Sequence, residues 1–288
     1  MSGRIQKVAV LGAGTMGHGI AQVAAASGFD TTLFDLSDAF VRAGLERIER
    51  NLKQGVDRGK VTEEDRAAAL ARLTTTTSAE DALAAADLVI EAAPERMEIK
   101  RSLVDQANRF APAGTIFATN TSSLSVTEIA SAAKTPDRVI GMHFFNPPYV
   151  LKLLEIVRAE QTSNETLATV RDVAARMGRE VIVIRDSPGF ATSRLGLALG
   201  LEAMRMLQEG VGTAEDIDRA MELGYRHPMG PLKLTDLVGL DVRLAIAEYL
   251  HAELGGDQFQ PPQILRKLVR AGKLGKKTGQ GFYAWPSE

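Results

Sequence analysis

KVAVLGAGTMGHGIAQVAAASGFDTTLFD, residues 7–35, decides how the chain must be read. The run KVAVLG is short, β-branched and ends in glycine, so it predicts a buried strand. A helix follows to Gly28, and DTTLFD predicts a second strand. Gly12, Gly14 and Gly17 fall in the turn from the first strand to that helix and form G-x-G-x-x-G, with Thr15 and Met16 between the last two. The motif alone is weak; between a strand and a helix it has the context it needs. The first glycine permits the tight turn, the second lets backbone approach a pyrophosphate, and the third lets helix and strand pack closely. The phosphates would rest on the helix N-terminus, where free N–H groups and the helix dipole favour anions. Asp35 stands 23 residues after Gly12, near the spacing for an acid that bonds the adenosine ribose. A carboxylate there repels a 2′-phosphate, so the expected cofactor is NAD rather than NADP.

Outward from this unit, strands and helices keep alternating. ADLVIEAA, TIFATN, RVIGMHFF, LKLLEIV and EVIVIRD read as strands, with helices between them. Residues 38–72 read as helix broken near GVDRGKVTEED, with Thr62 as the N-cap of the second part. The alternation implies an α/β fold, a Rossmann-type, mostly parallel sheet covered on both faces. After Asp186 the pattern changes: SPGF is a turn signal, and only helical patterns follow, over 190–209, 213–223, 231–253 and 261–272. Two domains are therefore expected, a nucleotide-binding domain over 1–186 and an all-helical domain over 187–288.

Composition narrows the function classes. Of 288 residues, 45% are hydrophobic and 24% charged, with a net charge of -2, so no strong field favours nucleic acid or an anionic membrane. There is no cysteine, which excludes disulfides, thiolate metal ligands and cysteine nucleophiles and suits a reducing cytoplasm. No signal-peptide layout, membrane span or metal site is expected.

Chemistry on a dinucleotide is expected beyond the C-terminal ends of later strands. ATNTSSLS supplies Asn120, Ser122 and Ser123 there, and HFFNPPYVLKLLE supplies His143, Asn146 and, twelve residues on, Glu155. Oxidising an alcohol needs a base for the hydroxyl proton, and imidazole suits the task because its ordinary pKa is about 6.5. A carboxylate on the other ring nitrogen would set the tautomer and stabilise imidazolium. Structural alternatives stand beside this: a core histidine between apolar neighbours, a helix cap in NTSSL, and a Glu155 that pairs with Lys152 or faces solvent.

The glycine loop, ATNTSSL, GMHFFNPP with its downstream glutamate, DSPGF, HPMGPLKLTDLVGLD and GKKTGQGFY together resemble the L-3-hydroxyacyl-CoA dehydrogenase family, in order and over nearly the whole chain. The length resembles the short 3-hydroxybutyryl-CoA dehydrogenases. The resemblance implies that His143 is the base, Glu155 its partner, and Ser122 the contact to the substrate oxygen. It places NAD contacts at Asp35, Glu95, Lys100, Ser122, Asn146 and Lys277, with Asn120 beside them. It maps CoA contacts to Asn51 and Arg58, and it implies a homodimer formed by the helical domain, which in this family closes over the active site. Where the family often carries asparagine, PGFATSR places Ser193. The same scaffold elsewhere oxidises sugar acids such as L-gulonate, or serves as a lens crystallin. A sugar-acid substrate and a non-catalytic role are thus the rival readings.

Overall fold

A computed structural model describes residues 5–286. The chain divides after Asp186 into two compact units, each with its own core.

The first unit is an eight-stranded sheet. Its strands are β1 (Lys7–Leu11), β2 (Asp30–Phe34), β3 (Leu73–Thr76), β4 (Leu88–Glu91), β5 (Ile116–Thr119), β6 (Val139–Phe144), β7 (Leu153–Arg158) and β8 (Glu180–Arg185). They lie in the order β3-β2-β1-β4-β5-β6-β7-β8. All neighbours run parallel except β6 and β7. The order turns back at β1, between β2 and β4, which makes the crevice above β1 the natural ligand site of such a sheet. β1, β4, β5 and β6 are buried almost throughout, as near-continuous apolar runs in a covered parallel sheet should be.

Local signals account for the helix starts. Ser37, Thr62, Ser78, Ser125 and Ser163 each accept a hydrogen bond from the backbone N–H three residues on. At Thr62 the bond from Asp65 N is 3.0 Å, and it starts the helix Glu63–Ala71. Thr62→Ala is expected to lower unfolding free energy by about 1 kcal/mol, read from the urea midpoint, with kcat unchanged.

Two elements differ from the sequence reading. LTTT forms the edge strand β3, which alternation does not betray because its faces are half-exposed and polar. The stretch 231–253 is two helices, Pro231–Val238 and Leu240–Leu254, broken at Gly239. Its φ of +103° is a conformation that glycine reaches without strain. The second unit holds these and the helices Thr192–Gln208, Ala214–Gly224 and Gln263–Arg270. Its core gathers Leu197, Leu201, Met204, Leu232, Leu240 and Leu250. No helix among the described residues is long and apolar enough to cross a membrane.

Candidate active site

Packing in the glycine loop leaves little choice of residue. Gly12 has φ +108°, and a side-chain carbon there would sit 2.7 Å from Ala92 O. At Gly17 the same carbon would lie 1.7 Å from Gly12 O, so the helix rests directly on the loop backbone. Gly14, by contrast, has nothing within 4 Å. Its exposed side and that of Thr15 are open to an incoming group. The helix Gly17–Ala26 begins after Met16 without a side-chain cap, which leaves its first N–H groups to a ligand. Asp35 follows β2 directly, and its carboxylate accepts from Ala13 N and Leu36 N at 2.7 Å each. A backbone cradle, an uncapped helix start and a carboxylate at the β2 end together fit a dinucleotide with a free ribose 2′-hydroxyl.

A second group of residues closes the ends of β4 and β5, which pair in register at Glu91 and Thr119. Glu91 is wholly buried and accepts from Lys100 Nζ at 3.0 Å on both oxygens, from Thr119 Oγ1 at 2.6 Å and from Ala93 N at 2.7 Å. Lys100, 1% exposed, also meets Glu95 Oε2 at 3.2 Å. Glu95 Oε1 in turn accepts from Thr121 Oγ1 at 2.6 Å, Ser122 N at 2.8 Å and Ser122 Oγ at 3.2 Å. Burial alone would raise the Glu95 pKa, but the Lys100 charge and these hydrogen bonds outweigh it and hold the carboxyl below its ordinary value. The serine loop is thus tied through Glu95 and Lys100 to a buried anchor, Glu91. Asn120 spans the next gap, its Oδ1 accepting from Phe144 N at 2.8 Å.

The antiparallel turn from β6 to β7 makes His143 and Glu155 direct partners across the pair, so both side chains stand on one face. Nδ1 of His143 lies 2.8 Å from Glu155 Oε2, with side-chain exposures of 9% and 0%. A carboxylate at that distance accepts a hydrogen bond from Nδ1–H, which leaves Nε2 as the nitrogen that exchanges a proton. The Phe145 ring flanks the imidazole at 4.5 Å between centroids. The loop that follows carries exposed Asn146 and packs against the cofactor helix. A side-chain carbon at Gly19 would lie 2.8 Å from Pro148 Cδ.

Within the first unit, then, the glycine loop, Asp35, Glu95, Asn120, Ser122, His143 and Asn146 all stand at or just beyond the C-terminal ends of β1, β2, β4, β5 and β6. Lys100 stands behind them, enclosed by two carboxylates. Asn51 is in the helix Asp38–Asp57, its Nδ2 donating to Gln22 Oε1 at 3.2 Å, and Arg58 ends that helix, exposed. Gln22 also lines a cleft of about 370 Å³ with Ser27, Lys60, Asp65, Tyr149 and Arg179. Ser193 and Lys277 belong to the helical unit. Ser193 is the second residue of Thr192–Gln208, and Lys277 Nζ meets Asp241 Oδ2 at 2.7 Å. Sequence reasoning passed over Glu91, Thr119 and Thr121. Glu91 had a signal, a carboxylate closing an apolar strand, the same one that singled out Glu155.

Comparison with known proteins covers both units. The model of the 3-hydroxyacyl-CoA dehydrogenase NAD binding domain matches residues 7–187, and that of the 3-hydroxyacyl-CoA dehydrogenase C-terminal domain matches 189–285. A probable 3-hydroxybutyryl-CoA dehydrogenase of Bacillus subtilis is 44% identical over 279 residues, 97% of each chain. The crystal structure of FadB2 of M. tuberculosis superposes with a TM-score of 0.95 at 42% identity, over 98% of this chain and 100% of that one. The (S)-3-hydroxybutyryl-CoA dehydrogenase of Ralstonia eutropha gives 0.94 at 41%, over 98% and 100%.

Proposed function

This chain belongs to the 3-hydroxyacyl-CoA dehydrogenase family, and from that premise we propose that His143 is its acid–base group, with Glu155 as partner and Ser122 as the donor to the substrate oxygen. The enzyme is an NAD-dependent oxidoreductase that interconverts 3-hydroxyacyl-CoA and 3-oxoacyl-CoA. The observation that carries the residue assignment is the buried 2.8 Å contact between Nδ1 and Oε2, at the same end of the sheet as the glycine loop.

When bound, NAD supplies the hydride acceptor for oxidation and its reduced form the donor for reduction. The chain's own residues handle the proton and the geometry. In the oxidative direction Nε2 of His143 takes the proton of the 3-hydroxyl, and Glu155 offsets the imidazolium charge. Ser122 stays held by Glu95 through its backbone N–H while its hydroxyl, which donates to the same Glu95 oxygen at 3.2 Å, turns to the substrate oxygen. Lys100 acts through Glu95, since its ammonium lies buried between two carboxylates. Gly12, Gly14, Thr15, Met16 and Gly17 cradle the pyrophosphate. Asp35 takes the ribose hydroxyls, while Asn120, Asn146 and Lys277 complete the cofactor site. Asn51 and Arg58 meet CoA, where an arginine offers a phosphate a two-pronged donor. Ser193 stands in for the family's asparagine.

Relatives named 3-hydroxybutyryl-CoA dehydrogenases, at 42–44% identity, support a short acyl chain. A homodimer built by the helical unit and a cytoplasmic setting complete the proposal; the cysteine-free composition suits the latter.

The test is NADH consumption with acetoacetyl-CoA, compared with NADPH and with a 3-oxo sugar acid. Rapid turnover with acetoacetyl-CoA and NADH is expected. Turnover of the sugar acid alone would overturn the substrate assignment. Asp35→Ala removes a charged acceptor that also holds Ala13 N. It is expected to raise the KM for NADH about 10-fold or more and to narrow the preference over NADPH. An unchanged preference would separate Asp35 from the ribose.

A further inference from the structure

Glu91 is a wholly buried acid to which the mechanism gives no task beyond anchoring. Enclosing an ion opposes folding unless its partners compensate it, and an anchor needs no charge of its own. The hydrogen bonds fix the charge of the group. Glu91 Oε1 accepts from Ala93 N at 2.7 Å and from Lys100 Nζ at 3.0 Å. Its Oε2 accepts from Lys100 Nζ at 3.0 Å and from Thr119 Oγ1 at 2.6 Å. Both oxygens face donors alone, so Glu91 is a carboxylate. Glu95 likewise accepts on both oxygens, from the serine loop and from Lys100. Among the described residues no cation other than Lys100 pairs with either acid. Two carboxylates against one ammonium leave a net charge of -1 on the three side chains. Glu91 and Lys100 are enclosed, so water screens that charge weakly.

The place of this charge matters. Glu91 pairs in register with Leu11 of β1 on one side and Thr119 of β5 on the other, between the glycine loop and the serine loop. A cofactor whose pyrophosphate rests on the first and whose reactive ring reaches a substrate held by the second passes over it. Ser122 Oγ lies 3.2 Å from Glu95 Oε1. A substrate oxygen bonded to that hydroxyl, its carbon, and a hydride acceptor about 3–3.5 Å further on place the ring within about 11 Å of Glu95. Oxidised nicotinamide carries a positive charge that the reduced ring lacks. Pyrophosphate, riboses and adenine are the same in both forms, so contacts at the glycine loop and Asp35 do not tell the two apart. A negative charge near the ring does.

We propose that Glu91, by sharing Lys100 with Glu95, keeps this group negative and so shifts the enzyme's preference between the two redox forms of its cofactor toward oxidised NAD. Being wholly enclosed, Glu91 acts through its charge rather than by contact. The proposal deepens the cofactor reading above and rests on it. An enzyme poised in this way takes up oxidised cofactor in the presence of NADH, which suits oxidation of the 3-hydroxyl.

The experiment titrates the whole chain with oxidised NAD and with NADH by calorimetry, without substrate and at fixed ionic strength. The ratio of the two Kd values is compared in wild type, Glu91→Gln, Glu91→Asp and Thr119→Val. In Glu91→Gln the Kd for oxidised NAD is expected to rise about 5-fold or more, while that for NADH changes less than about 2-fold. Glu91→Asp keeps the charge, and Thr119→Val removes a hydrogen bond to Glu91 but no charge, so both keep the wild-type ratio. Glu155 is the same in every variant, so its own charge does not enter the comparison. Equal weakening of both forms in Glu91→Gln, the mark of a structural anchor, overturns the proposal. A Thr119→Val ratio that moves as far as that of Glu91→Gln does so too. Should Glu91→Gln not fold, Glu95→Gln alters a partly exposed acid of the same group and is expected to move the ratio in the same direction; no movement overturns the proposal. A wild type that binds neither form overturns this inference together with the cofactor reading, whereas an unchanged ratio in variants that bind both forms strikes this inference alone.

Discussion

His143→Gln is expected to lower kcat by about 10²–10⁴-fold, the range general acid–base catalysis supplies, while NADH titrated by fluorescence binds as in the wild type. Glutamine approximates the size of imidazole and can still bond Glu155, so packing between β6 and β7 should survive. What it cannot do is take up a proton at the position of Nε2. The substituted side chain is nearly enclosed, so solvent is a poor substitute base. A variant with near-normal turnover and normal NADH binding would remove His143 from the mechanism.

Glu155→Gln is expected to lower kcat by about 10²-fold or more, an effect of the kind seen when the acid behind a catalytic histidine is made neutral. Two causes act together. The imidazolium that forms during oxidation loses its counter-charge in a site where water does not screen it. The amide can also donate to Nδ1 and so favour the tautomer that carries its proton on Nε2, which is the wrong one for taking the hydroxyl proton. The KM for NADH should change little, because Glu155 lies on β7, away from the glycine loop between β1 and its helix. A merely structural carboxylate would show the opposite pattern, a lowered melting temperature with kcat intact. Neutralising one member of a buried charged pair need not destabilise the fold if the amide keeps its hydrogen bond.

Much of the first unit could be read from local pattern because its signals are local. A strand, a glycine turn and a helix sit in one stretch of 29 residues, 7–35, and helix caps such as Thr62 declare themselves three residues ahead. Where partners are distant, pattern fails. His143 and Glu155 are twelve residues apart across the irregular loop NPPYVLK, and loop length alone does not set the register. A slip of one residue would have placed them on opposite faces. The observed register makes them direct partners. Lys100 shows the reverse limit. The resemblance names it as a cofactor contact, but only the fold reveals that Glu91 and Glu95 enclose it. Glu91 was legible in principle, as an acid closing the apolar run of β4. Its partner Thr119 was not, because it is brought alongside only when β4 and β5 pair. The edge strand β3 escaped notice for want of alternation, and Gly239 because a single glycine inside a helical pattern is usually tolerated rather than a break.

The account stands on His143 and Glu155 acting as one unit, and a double-mutant cycle on kcat with acetoacetyl-CoA and NADH tests that directly. With the acid–base nitrogen already gone in His143→Gln, removing the carboxylate behind it should matter little. The double variant is therefore expected to be no slower than His143→Gln alone, within a few-fold. A double variant whose loss equals the product of the two single losses would show the residues acting independently, and would contradict the mechanism.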